Sequence, residues 1–205
     1  MQITKELLKE KGACTDGYRW FCEYFPEGGE YQAVLNKLAK ENRADWAQWL
    51  MGHVGPTNAV LELEEISAEA SFFFAGKIVV KGLIKVANWL LAGGGIKAGE
   101  GIKAGWGIEA GWGIEAGEGI EAGEGIEAGG GIKAGWGIKA GGGIKAGWGI
   151  KAGEGIKAGG DFGIYAGLKV RISQKKQYAV IMAQEEPKNI VCGEFRPVEK
   201  EEGGE

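Results

Sequence analysis

The sequence predicts a mainly β protein: a hexapeptide-repeat β-solenoid with an N-terminal α-helical bundle before it and a C-terminal β-hairpin cap after it. Isoleucine returns every six residues from Ile96 to Ile156, eleven times in one register, and Ala follows each of them two residues later. A short fixed period of this kind is typical of stacked coils. Apolar residues at helical spacing precede the repeats, and two alternating segments flank a Glu-Pro turn after them.

Each repeat is predicted to form one short strand. Because the side chains of a strand alternate between its two faces, Ile96 and Ala98 point inward and Lys97 points outward. The remaining Gly-x-Gly can turn a corner at little steric cost. A flexible glycine linker is the alternative interpretation, but a linker has no physical reason to keep isoleucine in phase.

The register continues on both sides of the perfect copies. Counting every sixth position from Ile78 to Leu168 gives sixteen strands. The additional inward pairs are Ile78 and Val80, Ile84 and Val86, Leu90 and Ala92, Phe162 and Ile164, and Leu168 and Val170. With an irregular first coil, the solenoid is predicted over residues 57–173.

The outward charges favour three strands per coil, a triangular solenoid. Outward residues that are 18 positions apart have opposite charges in five of eight pairs, including Lys97 with Glu115 and Glu121 with Lys139. At a spacing of 12, expected for a two-sided coil, only four of nine pairs are opposite. Cross-strand neighbours of opposite charge stabilise a sheet, so the larger spacing is preferred.

Residues 1–56 are predicted to form a helical module. Helices are expected over 2–11, 18–24, 30–42 and 44–51, separated by Gly12, by a Pro-Glu-Gly-Gly turn and by a short break. In the third helix Tyr31, Val34, Leu35 and Leu38 follow the spacing of one buried stripe.

The segments that flank the repeats are predicted to close the solenoid. Residues 58–66 alternate as a strand does, and with 72–74 they form the irregular first coil, which covers the open edge. Residues 174–198 are predicted to form the hairpin cap, from strands at 177–183 and 190–195. The charged tail 199–205 is expected to be frayed.

Two parts of the chain resemble known sequences. The motifs Gly12-Ala13-Cys14, Gly17-Tyr18-Arg19-Trp20 and 43–50 (RADWAQWL) are similar to a helical module of bacteriophage and prophage proteins, which occurs joined to varied partners. The Ile-x-Ala-Gly array is similar to repeats of bactofilin-type polymers and of phage-borne proteins. The resemblance implies a phage or prophage origin and assigns no activity.

Composition restricts the classes of function. A chain of 205 residues with a net charge of −4 can bury a core, and it lacks the basic excess of a nonspecific nucleic-acid binder. Cys14, Cys22 and Cys192 are an odd, scattered set, as expected for reduced thiols. Neither a signal peptide nor a membrane span is indicated, so a cytoplasmic location in the host cell is expected.

The motifs for catalysis, cofactors and metals are weak. Hexapeptide acyltransferases use a histidine base beside their coils, whereas the single histidine, His53, lies at the end of the helical module. The Gly-x-Gly strings are periodic turns without the strand-then-helix context of a phosphate loop. We therefore expect neither an enzyme nor a cofactor, and no transition-metal site.

The predicted partner-binding residues are tryptophans at the corners, lysines beside them, and one face of the helical module. They are Trp106, Trp112, Trp136, Trp148, Lys133, Lys139, Lys145, Asp45, Trp46 and Trp49. Exposed tryptophan near a positive charge is typical of protein-binding hot spots. The alternative is that the four corner rings lie flat over glycines and seal the rod.

Three functions remain open at this point. The preferred one is a phage-borne, non-enzymatic protein that binds a host macromolecule, such as a defence enzyme, and inhibits or redirects it. The others are a self-assembling structural protein similar to bactofilins and a glycan- or small-molecule-binding adhesin. A host protein is the expected partner, nucleic acid and membrane are not expected, and homo-oligomers are left open.

Overall fold

The computed structural model describes residues 1–198, and the predicted frayed tail at 199–205 lies outside the described residues. Most of the chain forms a rod with three parallel sheets, which contain eight, six and seven strands. We call them face 1, face 2 and face 3, in the order in which each coil visits them. The first coil comprises β3 (Val60–Leu63) on face 1, β4 (Ile66–Ala68) on face 2 and β5 (Phe72–Phe74) on face 3.

The remaining strands repeat this order, one face after another, except that face 2 is skipped once near the C-terminus. They are β6 (Lys77–Val80), β7 (Ile84–Val86), β8 (Leu90–Ala92), β9 (Ile96–Ala98), β10 (Ile102–Ala104), β11 (Ile108–Ala110), β12 (Ile114–Ala116), β13 (Ile120–Ala122), β14 (Ile126–Ala128), β15 (Ile132–Ala134), β16 (Ile138–Ala140), β17 (Ile144–Ala146), β18 (Ile150–Ala152), β19 (Ile156–Lys157), β20 (Ile164–Tyr165), β21 (Val180–Ala183), β22 (Ile190–Cys192) and β23 (Glu194–Pro197).

The stacking confirms three strands per coil. Ile102 pairs with Ile120, and Ile120 pairs with Ile138, so the regular coils stack with a step of 18 residues. Isoleucine therefore lies on isoleucine and alanine on alanine along each inner wall, and both are almost completely buried through the array. Removal of these apolar side chains from water is the main stabilising contribution to the rod.

The N-terminal module has four helices and one small antiparallel sheet. The helices are α1 (Lys5–Glu10), α2 (Thr15–Tyr24), α3 (Tyr31–Lys40) and α4 (Ala44–Val54). The prediction of a helix from residue 2 is wrong, because β1 (Gln2–Ile3) pairs with β2 (Gly29–Glu30). The hydroxyl of Thr4 then accepts a hydrogen bond from the backbone N–H of Leu7 and caps the first helix.

The helical module packs on the side of the rod, against face 3. The middle residues of two face-3 strands, Phe73 and Leu91, point outward and are buried in the core of the module, together with Tyr31 and Leu35. These outward positions carry charge in the central coils. Large apolar side chains replace the charges here because the helices exclude water from this part of face 3.

The C-terminal segment departs from the predicted register. Phe162 and Leu168 were expected to point inward but are exposed, whereas Ile164 is buried and pairs with Ile144. This pairing spans 20 residues, so two extra residues enter the chain between β19 and β20. The segment after β20 then leaves the stack, and Val170 lies outside the core. It contains a 3₁₀ turn (Ile172–Gln174) and the short helix α5 (Lys175–Tyr178).

The predicted hairpin cap is also wrong. Strand β21 pairs in parallel with β18 and β23 on face 1, whereas β22 pairs in parallel with β20 on face 3. The two segments that were expected to pair with each other therefore extend different sheets of the rod. Their inward residues, such as Ile181 and Ala183, continue the buried column, which makes stacking more favourable than a separate hairpin.

None of the helices in the described part of the chain is both long and apolar enough to cross a membrane.

Candidate functional site

Two of the predicted tryptophans lie on one corner of the rod, between face 3 and face 1. The backbone N–H of Gly130 donates to the carbonyl oxygen of Trp112 (2.9 Å), and the N–H of Trp148 donates to the carbonyl oxygen of Gly130 (3.1 Å). Trp112 and Trp148 are 61% and 52% exposed. We call this column, Trp112, Gly130 and Trp148, the aromatic corner. Tyr178 extends it, with its ring centroid 5.4 Å from that of Trp148.

The other two predicted tryptophans lie on different corners. Trp106 is between face 2 and face 3, and Trp136 is between face 1 and face 2, and both are exposed. The four rings therefore do not form one surface. A tryptophan that does lie over a glycine is Trp89, whose ring occupies the space that a side chain at Gly107 would need.

The three predicted lysines lie on three different faces. Each forms an ion pair with a glutamate of the preceding coil: Lys133 with Glu115 (3.6 Å), Lys139 with Glu121 (3.5 Å) and Lys145 with Glu127 (3.7 Å). Lys133 on face 1 and Lys145 on face 3 lie on the two faces that meet at the aromatic corner, whereas Lys139 lies on face 2. Such exposed pairs contribute little to stability, so the lysines remain able to exchange partners.

A shallow groove of about 470 Å³ follows face 1 beside the aromatic corner. The ring of Trp112 bounds it, and its floor consists of stacked glycine backbone at Gly95, Gly113, Gly131 and Gly149. The outward row of face 1 in this region is Lys97, Glu115, Lys133 and Lys151, which gives three positive charges for one negative charge.

The predicted residues of the helical module, Asp45, Trp46 and Trp49, do come together. They line a half-open pocket of about 300 Å³, which we call the head pocket. Its walls also include Trp20 from α2, which sequence reasoning missed although it belongs to a motif of the resemblance. The ring of Trp20 meets that of Trp46 edge to face at 5.8 Å.

Polar groups contact the aromatic rings of the head pocket and hold them in place. The indole N–H of Trp20 donates to a carboxylate oxygen of Glu41 (2.7 Å). The guanidinium of Arg43 lies 3.2 Å from the ring centroid of Trp46 and also hydrogen-bonds the carboxylate of Asp45. These hydrogen bonds from Arg43 hold the pKa of Asp45 below its usual value. Asp45 is therefore charged and paired at neutral pH.

A further site lies where α4 meets face 3. The amide of Gln48 donates to a carboxylate oxygen of Glu109 (2.5 Å), whose neighbour along face 3 is Glu127. Burial, together with the nearby charge of Glu127, raises the pKa of Glu109 to about 7. This position is not recognisable from the sequence, because Glu109 resembles every other outward residue of the array until the helices cover it.

His53 makes its contacts within helix α4. Its Nδ1 lies 2.7 Å from the carbonyl oxygen of Trp49, and its ring stacks on the Trp49 indole. Among residues 1–198, no group of three or more His, Cys, Asp and Glu side chains is arranged to hold a metal ion. The described surface thus offers aromatic and charged contacts.

Comparison with known proteins identifies one similarity. Residues 1–54 match a family model described as the YdhT N-terminal domain. The match ends at Val54, where α4 ends, and so covers the helical module alone. Searches of curated proteins and of solved structures found no match.

Proposed function

We propose that the chain is a non-enzymatic binding protein, encoded by a phage or prophage, which binds a host macromolecule such as a defence enzyme and inhibits or redirects it. In this proposal the head pocket makes the primary contact with a host protein. The solenoid holds the helical module rigidly, because face 3 contributes Phe73 and Leu91 to its core.

The geometry of the head pocket is the observation that carries the proposal. Three tryptophans, Trp20, Trp46 and Trp49, line a half-open apolar cavity whose deep wall includes the buried side chains of Phe21 and Leu38. Protein interfaces concentrate their binding energy in pockets of this kind, where an aromatic or aliphatic anchor of the partner is desolvated. The match of this module to a separate family model supports its role as a transferable unit.

A pocket-filling variant tests the proposal without removing any core side chain. Gly17 lies on α2 at the mouth of the pocket, where a Cβ would contact Cys14 Sγ and the Trp46 ring. We expect Gly17→Leu to fill the cavity and to abolish recovery of the host protein in a pull-down from host lysate. Gly52→Ala in α4 is the matched control, because a Cβ there has open space. Retention of the partner by Gly17→Leu, with circular dichroism showing a folded protein, would refute the proposal.

One observation favours self-assembly as a second candidate function. Strand β3 is the outermost strand of face 1, and its apolar residues Val60 and Leu63 are exposed. Open strand edges promote pairing between chains. Glu62 and Glu64 oppose such pairing between identical edges, as does Pro197 in the strand at the other end, which has no N–H to donate. Light scattering over a range of concentrations distinguishes the candidates, because the particle size of an assembling protein increases with concentration and that of a non-assembling protein does not.

A further inference from the structure

We propose that the aromatic corner and the adjoining groove of face 1 bind an acidic, β-1,4-linked polysaccharide that lies along the axis of the rod. This site is separate from the head pocket, and the inference does not depend on the function proposed above. Four observations support it: the spacing of Trp112 and Trp148 along the corner, their exposure, the glycine floor of the groove, and the charge of face 1.

The spacing of the two tryptophan positions along the corner matches a glycan better than a peptide. Trp112 and Trp148 are two coils apart, which at the usual strand separation is about 10 Å. Each sugar of an extended β-1,4 chain advances by nearly one coil and is turned over relative to the last. The same sugar face therefore returns every second coil. Side chains on one side of an extended peptide recur at about 6.7 Å, which fits neither one coil nor two.

The corner is built to leave the rings accessible. Each ring is more than half exposed, and the hydrogen bonds through Gly130 fix their backbone positions. A Cβ at Gly130 would come within 3.0 Å of the backbone nitrogen of Gly113, so a side chain is disfavoured in the interval between the rings. The flat C–H face of a pyranose can cover an indole, and the open interval accommodates the sugar that faces away.

The charge of face 1 favours an anionic sugar. Lys97 and Lys133 share the single carboxylate of Glu115, at 3.6 Å each. Lys151 forms no ion pair within the described residues and lies one coil beyond Lys133. A uronate carboxylate above this row gains charge-assisted hydrogen bonds that a neutral sugar lacks.

The other corners lack these features and provide an internal control. Along the column of Trp136 the neighbouring residues are Glu118 and Glu154, and along that of Trp106 they are Asn88 and Glu124. Each of these tryptophans stands alone on its column, beside carboxylates that repel an anion. Trp136 is as exposed as the tryptophans of the aromatic corner and Trp106 is less exposed, and neither has a second tryptophan within the described part of its column.

Isothermal titration of the full chain with a β-1,4-D-mannuronate hexamer tests the inference, and the neutral β-1,4-mannose hexamer is the matched ligand. We expect the uronate to bind more tightly than the neutral hexamer, with a difference that added salt removes. Trp112→Ala with Trp148→Ala should lower the affinity at least about tenfold, the scale of a buried tryptophan contact. Trp106→Ala with Trp136→Ala should leave the affinity unchanged.

Several outcomes would overturn the inference. They are absence of uronate binding, equal affinity for both hexamers, and an equal loss of uronate affinity in the two double tryptophan variants. Tighter binding of an oligothymidylate or of polyglutamate would instead assign the corner to nucleic acid or to an acidic protein. Gly17→Leu should bind the uronate hexamer as tightly as the parent protein does, because it changes only the head pocket. Failure of the head-pocket proposal can therefore be distinguished from failure of this one. The comparison of the two hexamers needs no variant and holds even if a substitution impairs folding.

Discussion

Gln32 of helix α3 closes the free edge of strand β5 by donating from its amide nitrogen to the carbonyl oxygen of Phe73 at 2.8 Å. Its amide oxygen accepts from the backbone N–H of Ala75 at 2.9 Å. One side chain thus supplies both the donor and the acceptor that a further strand would supply. The helical module therefore caps face 3 as well as covering its side.

Loss of this cap should destabilise the protein measurably. Gln32→Ala leaves a partly buried carbonyl and N–H without their partners, which costs about 1–3 kcal/mol. Asn36 also contacts the Gln32 amide, at 2.8 Å, but on the exposed side. Asn36→Ala is the control and should change the free energy of unfolding by less than about 0.5 kcal/mol. Urea denaturation followed by circular dichroism compares the two, and equal effects would contradict the capping role.

The central array was predictable because its physics is local. Inward Ile and Ala alternate with outward charge within three residues. The oppositely charged residues at a step of 18 form ion pairs along the array, as between Lys97 and Glu115. The first coil was also predictable from its alternation. Both features depend on residues close together in the sequence and on contacts between neighbouring coils.

The C-terminal coils depart from the six-residue count because two residues are inserted before Ile164, which pairs with Ile144. Gly163-Ile164-Tyr165-Ala166-Gly167 repeats the unit of the array, displaced by two residues, and Ile164 is the residue that packs inward. The position of the helical module could not be predicted, because it depends on contacts between distant segments, such as Gln48 with Glu109. The head pocket was partly predicted, through Trp46 and Trp49, but Trp20 joins it only in the folded chain.

The junction of the two modules should make stability depend on pH. The pKa of Glu109 is raised to about 7, above that of a carboxyl in the unfolded chain, so the folded state holds the proton more tightly. The stabilisation is complete below about pH 4.5 and is lost as the pH rises to about 7. Glu127 and Lys145 on face 3 and Gln48 on α4 are the groups that surround this carboxyl.

Glu109→Gln should remove this pH dependence. The neutral amide cannot become charged, so the variant should be more stable than the parent at pH 8 by roughly 1–3 kcal/mol and similar to it at pH 5. Thermal melts between pH 5 and pH 8.5 measure the difference. Glu115→Gln, on exposed face 1, is the control, and a similar gain there would show that burial at the junction is not the cause.

The corner glycines should be intolerant of any side chain where coils stack closely. A Cβ at Gly117 would overlap the carbonyl oxygen of Gly99 in the coil below. Gly117→Ala must therefore push two coils apart, and we expect a loss of about 1–3 kcal/mol or more. Gly52→Ala, in a helix with open space, should instead stabilise the protein by about 0.5–1 kcal/mol. Chemical denaturation measures the change in the free energy of unfolding, which should be a loss for Gly117→Ala and a gain for Gly52→Ala.

Adjacent positions of one strand should respond very differently to a change of charge. Ile126 is 1% exposed, so Ile126→Asp buries an unpaired carboxylate at a cost of several kcal/mol. Glu127→Lys removes the repulsion from Glu109 and adds repulsion from Lys145, and the two effects largely offset each other on the outer face. Equal loss of stability in both variants would contradict the inward position of Ile126.

The two tryptophans of the aromatic corner should differ in their effect on stability. Trp112 is the more exposed ring, and no aromatic partner contacts it within the described residues, so Trp112→Ala should leave the melting temperature almost unchanged. Trp148 packs against Tyr178, and such an aromatic pair contributes about 0.5–1.5 kcal/mol. Trp148→Ala should therefore lower the melting temperature by a few degrees, as should Tyr178→Ala.

A double-mutant cycle on Trp148 and Tyr178 separates packing from ligand binding at the aromatic corner. If the stability loss comes from their mutual contact, the double variant should lose little more than either single variant. The alternative is that the rings of Trp112, Trp148 and Tyr178 serve only to cover the corner of the rod. In that case Trp112→Ala would also lower the melting temperature and would leave the affinity for the uronate hexamer unchanged. A stable Trp112→Ala variant that has lost affinity for the uronate hexamer assigns this ring to binding, because no loss of packing accompanies the loss of affinity.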